Sequence, residues 1–398
     1  MGFFTGSSWK GGLKEKSGLP KCGQCGLSKT CFSPKMPVHQ GTLDILFVGD
    51  FPGEKDDRNG KHFAGDGGDL LRNLVEDIGY DLDECSLTNT IICHPETFDA
   101  KQIGYCKPNL MGTINKLKPT VIFTMGTAPL QSLVTQEYKK GIDQASKWSG
   151  WTIPSPTFNA WLCPIPHPTY IMKMRNDEVL LDWTRKYLAK GFKKRKRPVP
   201  LQVNQLQKEV EVITNPKQAF LRMKDLNKQK GIVAFDYETT GLKPENKEQE
   251  IVSCSFCFEG VNTFAFAWHP KLVKVMKTFL RNGNLLKVAS NIKFEERWSV
   301  AKVGTRVNGW HWDTMLAAHQ LDNRPNITSI KFMAYVLLGV ADYDSHIEHY
   351  LKAENSNGIN RIKELNIKDL LVYNGMDSLL EFKVMEEQKR LMELEGIG

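Results

Sequence analysis

The stretch that decides the fold is Phe235-Asp-Tyr-Glu-Thr-Thr-Gly241, which carries two carboxylates two positions apart. In a β-strand this spacing sends the side chains of Asp236 and Glu238 to the same face. A second motif, Tyr373-Asn-Gly-Met-Asp377, has a phenol and a carboxylate four positions apart, which places both on one face of a helix. Oxygen ligands on rigid elements suit Mg²⁺ or Mn²⁺, and two such ions can stabilise the attacking and leaving oxygens of a phosphodiester. The two motifs therefore predict a metal-dependent phosphodiesterase site.

Residues 231–398 resemble a DnaQ-like 3′–5′ exonuclease of the DEDDy type, in particular the proofreading domain of family-A DNA polymerases. The resemblance rests on the two motifs above, on Asn291-Ile-Lys-Phe-Glu295 and on Asp313-Thr-Met-Leu-Ala-Ala-His319. It implies a ribonuclease H-like α/β fold in which Tyr373 orients the attacking water. It also implies two bound Mg²⁺ or Mn²⁺ ions, held by Asp236, Glu238, Glu295 and Asp377. Glu295 stands where the family motif ends in Asp, so its carboxylate reaches one methylene further.

The N-terminal half alternates between strand and helix patterns. Residues 43–50, LDILFVGD, form an apolar run typical of a buried strand. A glycine-rich loop over 51–65 and a helix pattern follow, and further strands are expected over 86–92 and 120–126. This order predicts a parallel α/β domain with its functional residues at the carboxyl ends of the strands.

This half, over about residues 18–190, resembles the family-4 uracil-DNA glycosylases, the iron–sulfur branch of that superfamily. The resemblance rests on residues 49–65, on Thr88-Asn89, on Cys93-His-Pro and on Ile165-Pro-His167-Pro-Thr-Tyr170. It implies a parallel-sheet α/β/α fold in which Phe63 stacks on uracil and Asn89 reads its edge. It also implies that His167 stabilises the departing uracil anion. Asp50 and Asp56 stand where the family has Glu and are expected to orient water. Phe51 and His62 replace the family's Ala and Pro.

Nine cysteines in a chain with no sign of secretion indicate metal or redox chemistry rather than disulfides. Cys22-Gly-Gln-Cys25 with the distant Cys93 and Cys106 fits either zinc or an iron–sulfur cluster by spacing alone, and Cys31 is a possible substitute ligand. The family resemblance implies a structural [4Fe–4S] cluster on Cys22, Cys25, Cys93 and Cys106. Cys254 and Cys257 lie in an apolar strand pattern and are expected in the core.

The net charge of +8 is concentrated in the first half, where residues 1–197 carry a net +7. Much of this excess lies in the run Lys193-Lys-Arg-Lys-Arg197, which we expect to be a solvated linker that contacts DNA phosphates. The sequence predicts a glycosylase-like domain over 1–190, a basic, proline-containing linker over 191–212 and an exonuclease domain over 213–398. The first residues lack the apolar core of a signal peptide, and no long apolar run predicts a membrane span. We therefore expect a cytoplasmic protein of a bacterium or a phage-infected host.

Together these motifs predict a DNA repair or replication enzyme that excises uracil and trims 3′ ends. Its expected partner is single-stranded or uracil-containing DNA. No polymerase motif is found before Gly398, so we expect a polymerase either on a separate polypeptide or in a longer version of this chain. Two alternatives stay open. The first half could be an inactive DNA- or uracil-binding module that serves the nuclease, or the whole chain could be a scaffold for a polymerase.

Overall fold

A computed structural model of the chain describes residues 20–142, 145–355 and 357–396. The first twelve residues, on which the expectation of no signal peptide rests, lie outside that part. The chain divides into two compact units, Met1–Pro200 and Leu201–Gly398. Residues 191–200 of the predicted linker therefore belong to the first unit, and residues 201–212 belong to the second.

The described residues of the first unit form a five-stranded sheet with the order β2-β1-β3-β5-β4. All neighbouring strands are parallel except β4 and β5. The strands are β1 (Ile45–Gly49), β2 (Ser86–Asn89), β3 (Val121–Met125), β4 (Ile153–Ser155) and β5 (Ala160–Ile165). The predicted parallel α/β fold is confirmed, although the strand expected over 86–92 ends at Asn89.

Helices cover this sheet. They are α1 (Cys22–Cys25), α2 (Glu54–Asn59), α3 (Asp66–Glu76), α4 (Lys101–Leu117), α5 (Thr127–Leu133), α6 (Ala145–Trp148), α7 (Pro168–Lys173) and α8 (Glu178–Phe192), with 3₁₀ turns at Leu27–Lys29, Leu82–Glu84 and Val134–Gln136. The central strands are apolar on both faces because both are covered. Phe47 and Phe123 stack with ring centroids 4.6 Å apart, and Phe192 of α8 packs 5.5 Å from Phe123.

The described residues of the second unit form a six-stranded sheet with the order β11-β10-β7-β8-β9-β6. Strand β8 pairs antiparallel with both β7 and β9. The outer strands pair in parallel: β10 with β7, β11 with β10, and β6 with β9. The strands are β6 (Val210–Ile213), β7 (Gly231–Thr239), β8 (Ile251–Phe258), β9 (Asn262–Ala267), β10 (Leu285–Ala289) and β11 (Trp310–Asp313). This mixed sheet confirms the predicted ribonuclease H-like α/β fold.

The helices of this unit are α9 (Val203–Leu206), α10 (Pro216–Leu226), α11 (Val273–Arg281), α12 (Ile292–Trp298), α13 (Thr314–Leu321), α14 (Ile330–Leu338), α15 (Glu348–Leu351) and α16 (Ile367–Glu395). Shorter turns lie at Gln207–Glu209, Pro270–Leu272, Ser299–Val303 and Ile362–Glu364. Cys254 and Cys257 are buried in β8, as predicted.

The long helix α16 lies close against the sheet, and Gly375 permits this approach. A Cβ at that position would come within 2.3 Å of a Val210 methyl group on β6. The close packing brings the middle of α16 next to the strand that carries Asp236 and Glu238. The fold thus joins the two acidic motifs that lie far apart in the sequence. In the described ranges, we find no helix with the length and apolarity needed to cross a membrane.

Candidate active sites

Three predicted metal ligands meet in the second unit. Asp236 and Glu238 lie on the same face of β7, and Asp377 reaches them from α16. One carboxylate oxygen from each lies within 4.8 Å of the other two. Three hard oxygen donors at this separation fit a divalent cation such as Mg²⁺ or Mn²⁺. The predicted trio is therefore assembled by the fold, and its donors suit the predicted ion.

The Asp236 carboxylate is held in place by a hydrogen bond from α16. Asn374 Nδ2 donates to Asp236 Oδ2 at 2.6 Å, while Ser253 Oγ on β8 donates to Asn374 Oδ1 at 2.9 Å. Burial and the neighbouring Asp377 charge raise the pKa of Asp236 to about 7. Burial and the Asp236 charge also raise the pKa of Glu238 well above its usual range. A bound cation would stabilise these crowded, partly buried carboxylates by neutralising their charge.

Tyr373 lies beside this trio, with an unexpected lysine against it. Lys331 Nζ on α14 donates to the Tyr373 hydroxyl at 2.7 Å and to Asp377 Oδ2 at 3.4 Å. Tyr343 donates its hydroxyl to the other oxygen of Asp377. Burial, together with the Asp377 charge, raises the pKa of Tyr373 well above its usual range, so the phenol stays protonated. Nothing in the local sequence around Lys331 or Tyr343 indicates these contacts.

Glu295 is not part of the trio, but it faces the same acidic site. It lies on α12 and is buried, and its Oε2 has no hydrogen-bond partner among the described residues. Burial and then the Asp236 charge raise its pKa well above the usual range. Asp313 at the end of β11 orients the start of α12, because its carboxylate accepts the backbone N–H groups of Asn291 and Ile292 at 3.0 and 3.1 Å.

Sequence reasoning missed a fifth carboxylate, Glu381. It lies one turn after Asp377 on α16, is only 2% exposed and accepts the Ser290 N–H at 3.0 Å through Oε1. Its Oε2 has no hydrogen-bond partner in the described ranges. Burial, followed by the charges of Asp236 and Glu295, raises its pKa well above the usual range. The i, i+4 spacing from Asp377 is the signal that could have found it.

We expect Glu381→Gln to weaken Mn²⁺ binding by roughly tenfold, because a bound cation favours the ionised form of Glu381 and Gln cannot supply that negative charge. The change is nearly isosteric and keeps the acceptor for Ser290. Titration calorimetry with Mn²⁺ measures the affinity, and Glu386→Gln on the exposed side of the same helix is the matched control. Equal Mn²⁺ affinity in the two variants would show that Glu381 plays no part in cation binding.

In the first unit, the predicted base-binding residues line one cavity of about 780 Å³ at the carboxyl ends of the strands. Its walls include Asp50, Asp56, Phe63, Asn89 and His167. They come from the first position after β1, from α2 and the loop that follows it, from the end of β2 and from the N-cap of α7. The volume is that of a site for a small organic group. The fold therefore brings together all five residues that the sequence predicted for uracil binding and excision.

The two aspartates of the cavity differ in their surroundings. Asp50 Oδ1 accepts the Ala128 N–H at 2.9 Å, and burial raises its pKa to about 6. Asp56 accepts the N–H of Gly53 at 2.9 Å through one oxygen and that of Ala64 at 2.6 Å through the other. Asp56 therefore fixes the conformation of the loop, whereas Asp50 has the environment of a tuned base. A catalytic role for either one stays a prediction.

Phe63 and Asn89 meet over Gly49, the last residue of β1. A Cβ at Gly49 would lie 2.3 Å from Asn89 Oδ1 and 2.9 Å from the Phe63 ring, so only glycine fits there. Phe63 itself has a left-handed backbone with φ of 56°, an uncommon conformation for a bulky residue. Asn89 Nδ2 lies 2.9 Å from His62 Nδ1. This close grouping supplies a flat aromatic surface beside a fixed amide.

His167 caps the short helix α7 and is held as one tautomer. The Thr169 N–H donates to His167 Nδ1 at 3.2 Å, and the Thr169 hydroxyl lies 2.7 Å from the same atom. Because Nδ1 accepts, Nε2 carries the proton of the neutral ring. Burial, with a smaller effect from Lys173, lowers the pKa of His167 to about 4. The side chain is therefore a neutral hydrogen-bond donor at pH 7.

The four predicted cluster ligands also converge. Cys22, Cys25, Cys93 and Cys106 line one small cavity between α1, α4 and the segment after β2. Lys35 N donates to Cys93 Sγ at 3.2 Å, and Asn109 Nδ2 donates to Cys106 Sγ at 3.4 Å. Four thiols around one cavity, with N–H groups aimed at sulfur, fit the ligand set of an iron–sulfur cluster. Cys31 is not among the lining residues, although it lies near Cys93.

The basic run follows α8 and contacts the first unit. Arg197 donates to the carbonyl oxygens of Asn159 and Lys118 at 2.8 and 2.9 Å. Lys194 lies 4.2 Å from the centre of the Trp161 ring, and Arg195 lies 5.6 Å from that of Tyr80. Trp161 also donates to the Lys196 carbonyl at 2.8 Å. DNA binding by Lys193, Lys194, Arg195, Lys196 and Arg197 stays a prediction.

Two known families match separate parts of the chain, one in each compact unit. Residues 36–190 match the model of the uracil DNA glycosylase superfamily, and residues 210–392 match a 3′–5′ exonuclease family. The type-4 uracil-DNA glycosylase of Thermotoga maritima is 29% identical over 170 residues, which are 40% of this chain and 83% of the relative. That of Saccharolobus solfataricus is 32% identical over 110 residues, which are 27% of this chain and 51% of the relative.

Solved structures similar to this chain include nucleases. The structure of Brucella melitensis NrnC aligns with 18% identity and a TM-score of 0.34. The aligned residues cover 47% of this chain and 82% of the NrnC chain. The catalytic core of RRP6 from Trypanosoma brucei has 14% identity and a TM-score of 0.37, covering 47% of this chain and 48% of its own.

Proposed function

Because this chain carries a uracil-DNA glycosylase superfamily domain fused to a 3′–5′ exonuclease domain, we propose that it excises uracil from DNA and removes nucleotides from 3′ ends. The observation that carries the proposal is that side chains predicted for each reaction lie close together, in two separate groups. One is the carboxylate trio of the second unit, and the other is the cavity of the first unit. The substrate is DNA in both reactions.

In the exonuclease reaction, Asp236, Glu238 and Asp377 would hold divalent ions, which supply charge stabilisation and an activated water when bound. The ammonium group of Lys331 donates to the Tyr373 oxygen, so the protonated phenol can use its own O–H to orient the attacking water through a hydrogen bond to the water oxygen. That water adds to the terminal phosphorus, and the bond to the 3′ oxygen of the preceding nucleotide breaks. The water gives up one proton to solvent as the new P–O bond forms, the 3′ oxygen takes up one proton, and a deoxynucleoside monophosphate leaves.

An end-labelled single-stranded oligonucleotide tests this activity. With Mg²⁺ or Mn²⁺ we expect stepwise shortening from the 3′ end and release of deoxynucleoside monophosphates. Chelation with EDTA should stop it. Shortening from the 5′ end, or shortening that persists in EDTA, would refute the assignment.

In the glycosylase reaction, the target nucleotide leaves the base stack and enters the cavity. Phe63 stacks on the base and Asn89 hydrogen-bonds its edge. Water, oriented by Asp50, adds to C1′ of the sugar as the bond from C1′ to uracil N1 breaks. Asp50 takes up the proton that the water loses, and the uracil anion gains a proton from solvent. The neutral His167 ring donates from Nε2 to the developing uracil anion. The products are free uracil and an abasic site.

We expect uracil release to fall as the pH drops through about 6, because burial raises the pKa of Asp50 to about 6. Below that pH Asp50 is protonated and cannot accept a proton or hydrogen bond from water, so the rate should fall about tenfold per unit. His167, with a pKa of about 4, stays neutral over this range. Rates of uracil release in EDTA between about pH 5 and pH 8 measure the effect. Asp50→Asn should release uracil more slowly than wild type, and its rate should no longer fall below about pH 6. A wild-type rate that is unchanged down to about pH 5 contradicts the assignment.

The proposal has three further parts. A [4Fe–4S] cluster held by Cys22, Cys25, Cys93 and Cys106 is supported by their convergence on one cavity. A role in proofreading beside a separate polymerase is supported by the exonuclease family alone. Contact between the basic run and DNA phosphates is supported by its concentrated positive charge.

A second candidate function is that of a DNA-binding module without excision, serving the nuclease. Asp50 favours it, because its side chain is one methylene shorter than the Glu of the family that this half resembles, and one of its two oxygens already accepts the Ala128 N–H. The measurement of free uracil in EDTA separates the two functions.

A further inference from the structure

His62, which stands where the resembling family has proline, is buried beside the base-reading amide. It is 5% exposed, and its Nε2 lies 3.0 Å from the Pro37 carbonyl oxygen. A carbonyl oxygen can only accept a hydrogen bond, so His62 Nε2 must carry the proton. Burial also lowers the pKa of His62, which favours the neutral ring. In that tautomer Nδ1 has a lone pair and can only accept.

This tautomer determines the orientation of Asn89. The atom 2.9 Å from His62 Nδ1 must be a donor, so it is the amide nitrogen of Asn89. Reversing the amide would place its oxygen against the Nδ1 lone pair, with two acceptors facing each other in a buried site. The reversed state therefore loses a hydrogen bond and gains a repulsion.

With the nitrogen directed to His62, Asn89 Oδ1 occupies the space above Gly49 beside the Phe63 ring. Both Asn89 and Phe63 line the cavity, so the acceptor oxygen stands next to the surface on which a base stacks. The second hydrogen of the amide nitrogen stays available as a donor. The pocket thus offers one acceptor and one donor in a fixed order.

Uracil and cytosine require opposite placements of the hydrogen-bond donor and acceptor of the amide. Uracil presents N3–H as a donor and O4 as an acceptor, which match the amide as it is held. Cytosine presents N3 as an acceptor and its amino group as a donor, which match only a reversed amide. We propose that His62 is a specificity-determining positioning residue that locks the Asn89 amide in the orientation that accepts uracil and rejects cytosine. This inference rests on the proposed base-binding role of the cavity.

Two variants of His62 separate this role from simple packing. His62→Leu has similar bulk but no acceptor. His62→Asn can place its side-chain oxygen near the former Nδ1 position and accept from Asn89 again. The whole chain is used in EDTA, which stops the nuclease. Fluorescence anisotropy then compares binding to two oligonucleotides, one with a central 2′-fluoro-deoxyuridine and one with 2′-fluoro-deoxycytidine, neither of which is cleaved at the base.

We expect wild type to bind the uracil oligonucleotide more tightly than the cytosine oligonucleotide. In His62→Leu the ratio of the two dissociation constants should fall about tenfold, because one hydrogen bond contributes about that factor. His62→Asn should restore most of it. An unchanged preference in His62→Leu overturns the inference, and so does an equal loss in both variants, which would indicate packing alone. Uracil release from an ordinary uracil oligonucleotide is measured alongside. If His62→Leu loses the binding preference for uracil and wild type releases no uracil, the role of His62 is supported and excision is refuted. If wild type releases uracil and the binding preference of His62→Leu is unaltered, excision is supported and the role of His62 is refuted.

Discussion

Replacing Asp236 with Asn should lower the rate of 3′-end shortening about a thousandfold, a loss of several kcal/mol of transition-state stabilisation. Asp236 shares the cation site with Glu238 and Asp377, and its carboxylate is aligned by the 2.6 Å hydrogen bond from Asn374. The amide of Asn is neutral and is a much weaker ligand for a hard cation than a carboxylate. Quantitative release of deoxynucleoside monophosphates in Mg²⁺ measures the effect.

The control for this variant is Asp225→Asn, which makes the same chemical change at an exposed position of α10. It should leave 3′-end shortening unchanged. Uracil release in EDTA should be the same in both variants, since the glycosylase cavity belongs to the other unit. Shortening by Asp236→Asn at more than about a tenth of the wild-type rate would place catalysis elsewhere.

Asn89→Ala should lower uracil release about a hundredfold, because it removes both hydrogen bonds that the amide offers to the base edge. A bidentate contact of this kind contributes about 1–3 kcal/mol to base recognition. The substitution also leaves His62 Nδ1 buried without its 2.9 Å donor, which adds to the loss. Release of free uracil from a uracil-containing oligonucleotide in EDTA measures it.

Asn59→Ala, at an exposed position at the end of α2, is the matched control and should release uracil at the wild-type rate. Both variants should keep full nuclease activity in Mg²⁺. If Asn89→Ala released uracil as fast as Asn59→Ala, the amide would not be the base reader.

The sequence was most informative where a motif lies on one regular element. The apolar run around β1 and the D-x-E spacing of β7 predicted both strands, and the helix predicted to carry Tyr373 and Asp377 is Ile367–Glu395 in the structure. Local spacing determines which face of a strand or helix a side chain occupies, so these predictions required no knowledge of the tertiary fold.

Contacts between distant segments were beyond that reasoning. Lys331 and Tyr343 reach Asp377 only because α14 and the segment after it pack on α16. The pairing of His62 with Asn89 depends on how the loop after β1 folds over β2, and the sequence alone presented His62 as a mere departure from the family. The helix α2 inside the glycine-rich loop was also missed. It is stabilised by Asp56, whose side chain accepts the Gly53 N–H.

The most direct test of the account is one measurement of free uracil. The whole wild-type chain is incubated in EDTA with a single-stranded oligonucleotide that carries one central uracil, and the released base is quantified by mass spectrometry. The account predicts stoichiometric free uracil and an alkali-sensitive abasic site with both ends of the strand intact. An intact oligonucleotide in EDTA, from a preparation that still shortens 3′ ends in Mg²⁺, would contradict it and would leave the first unit as a binding module.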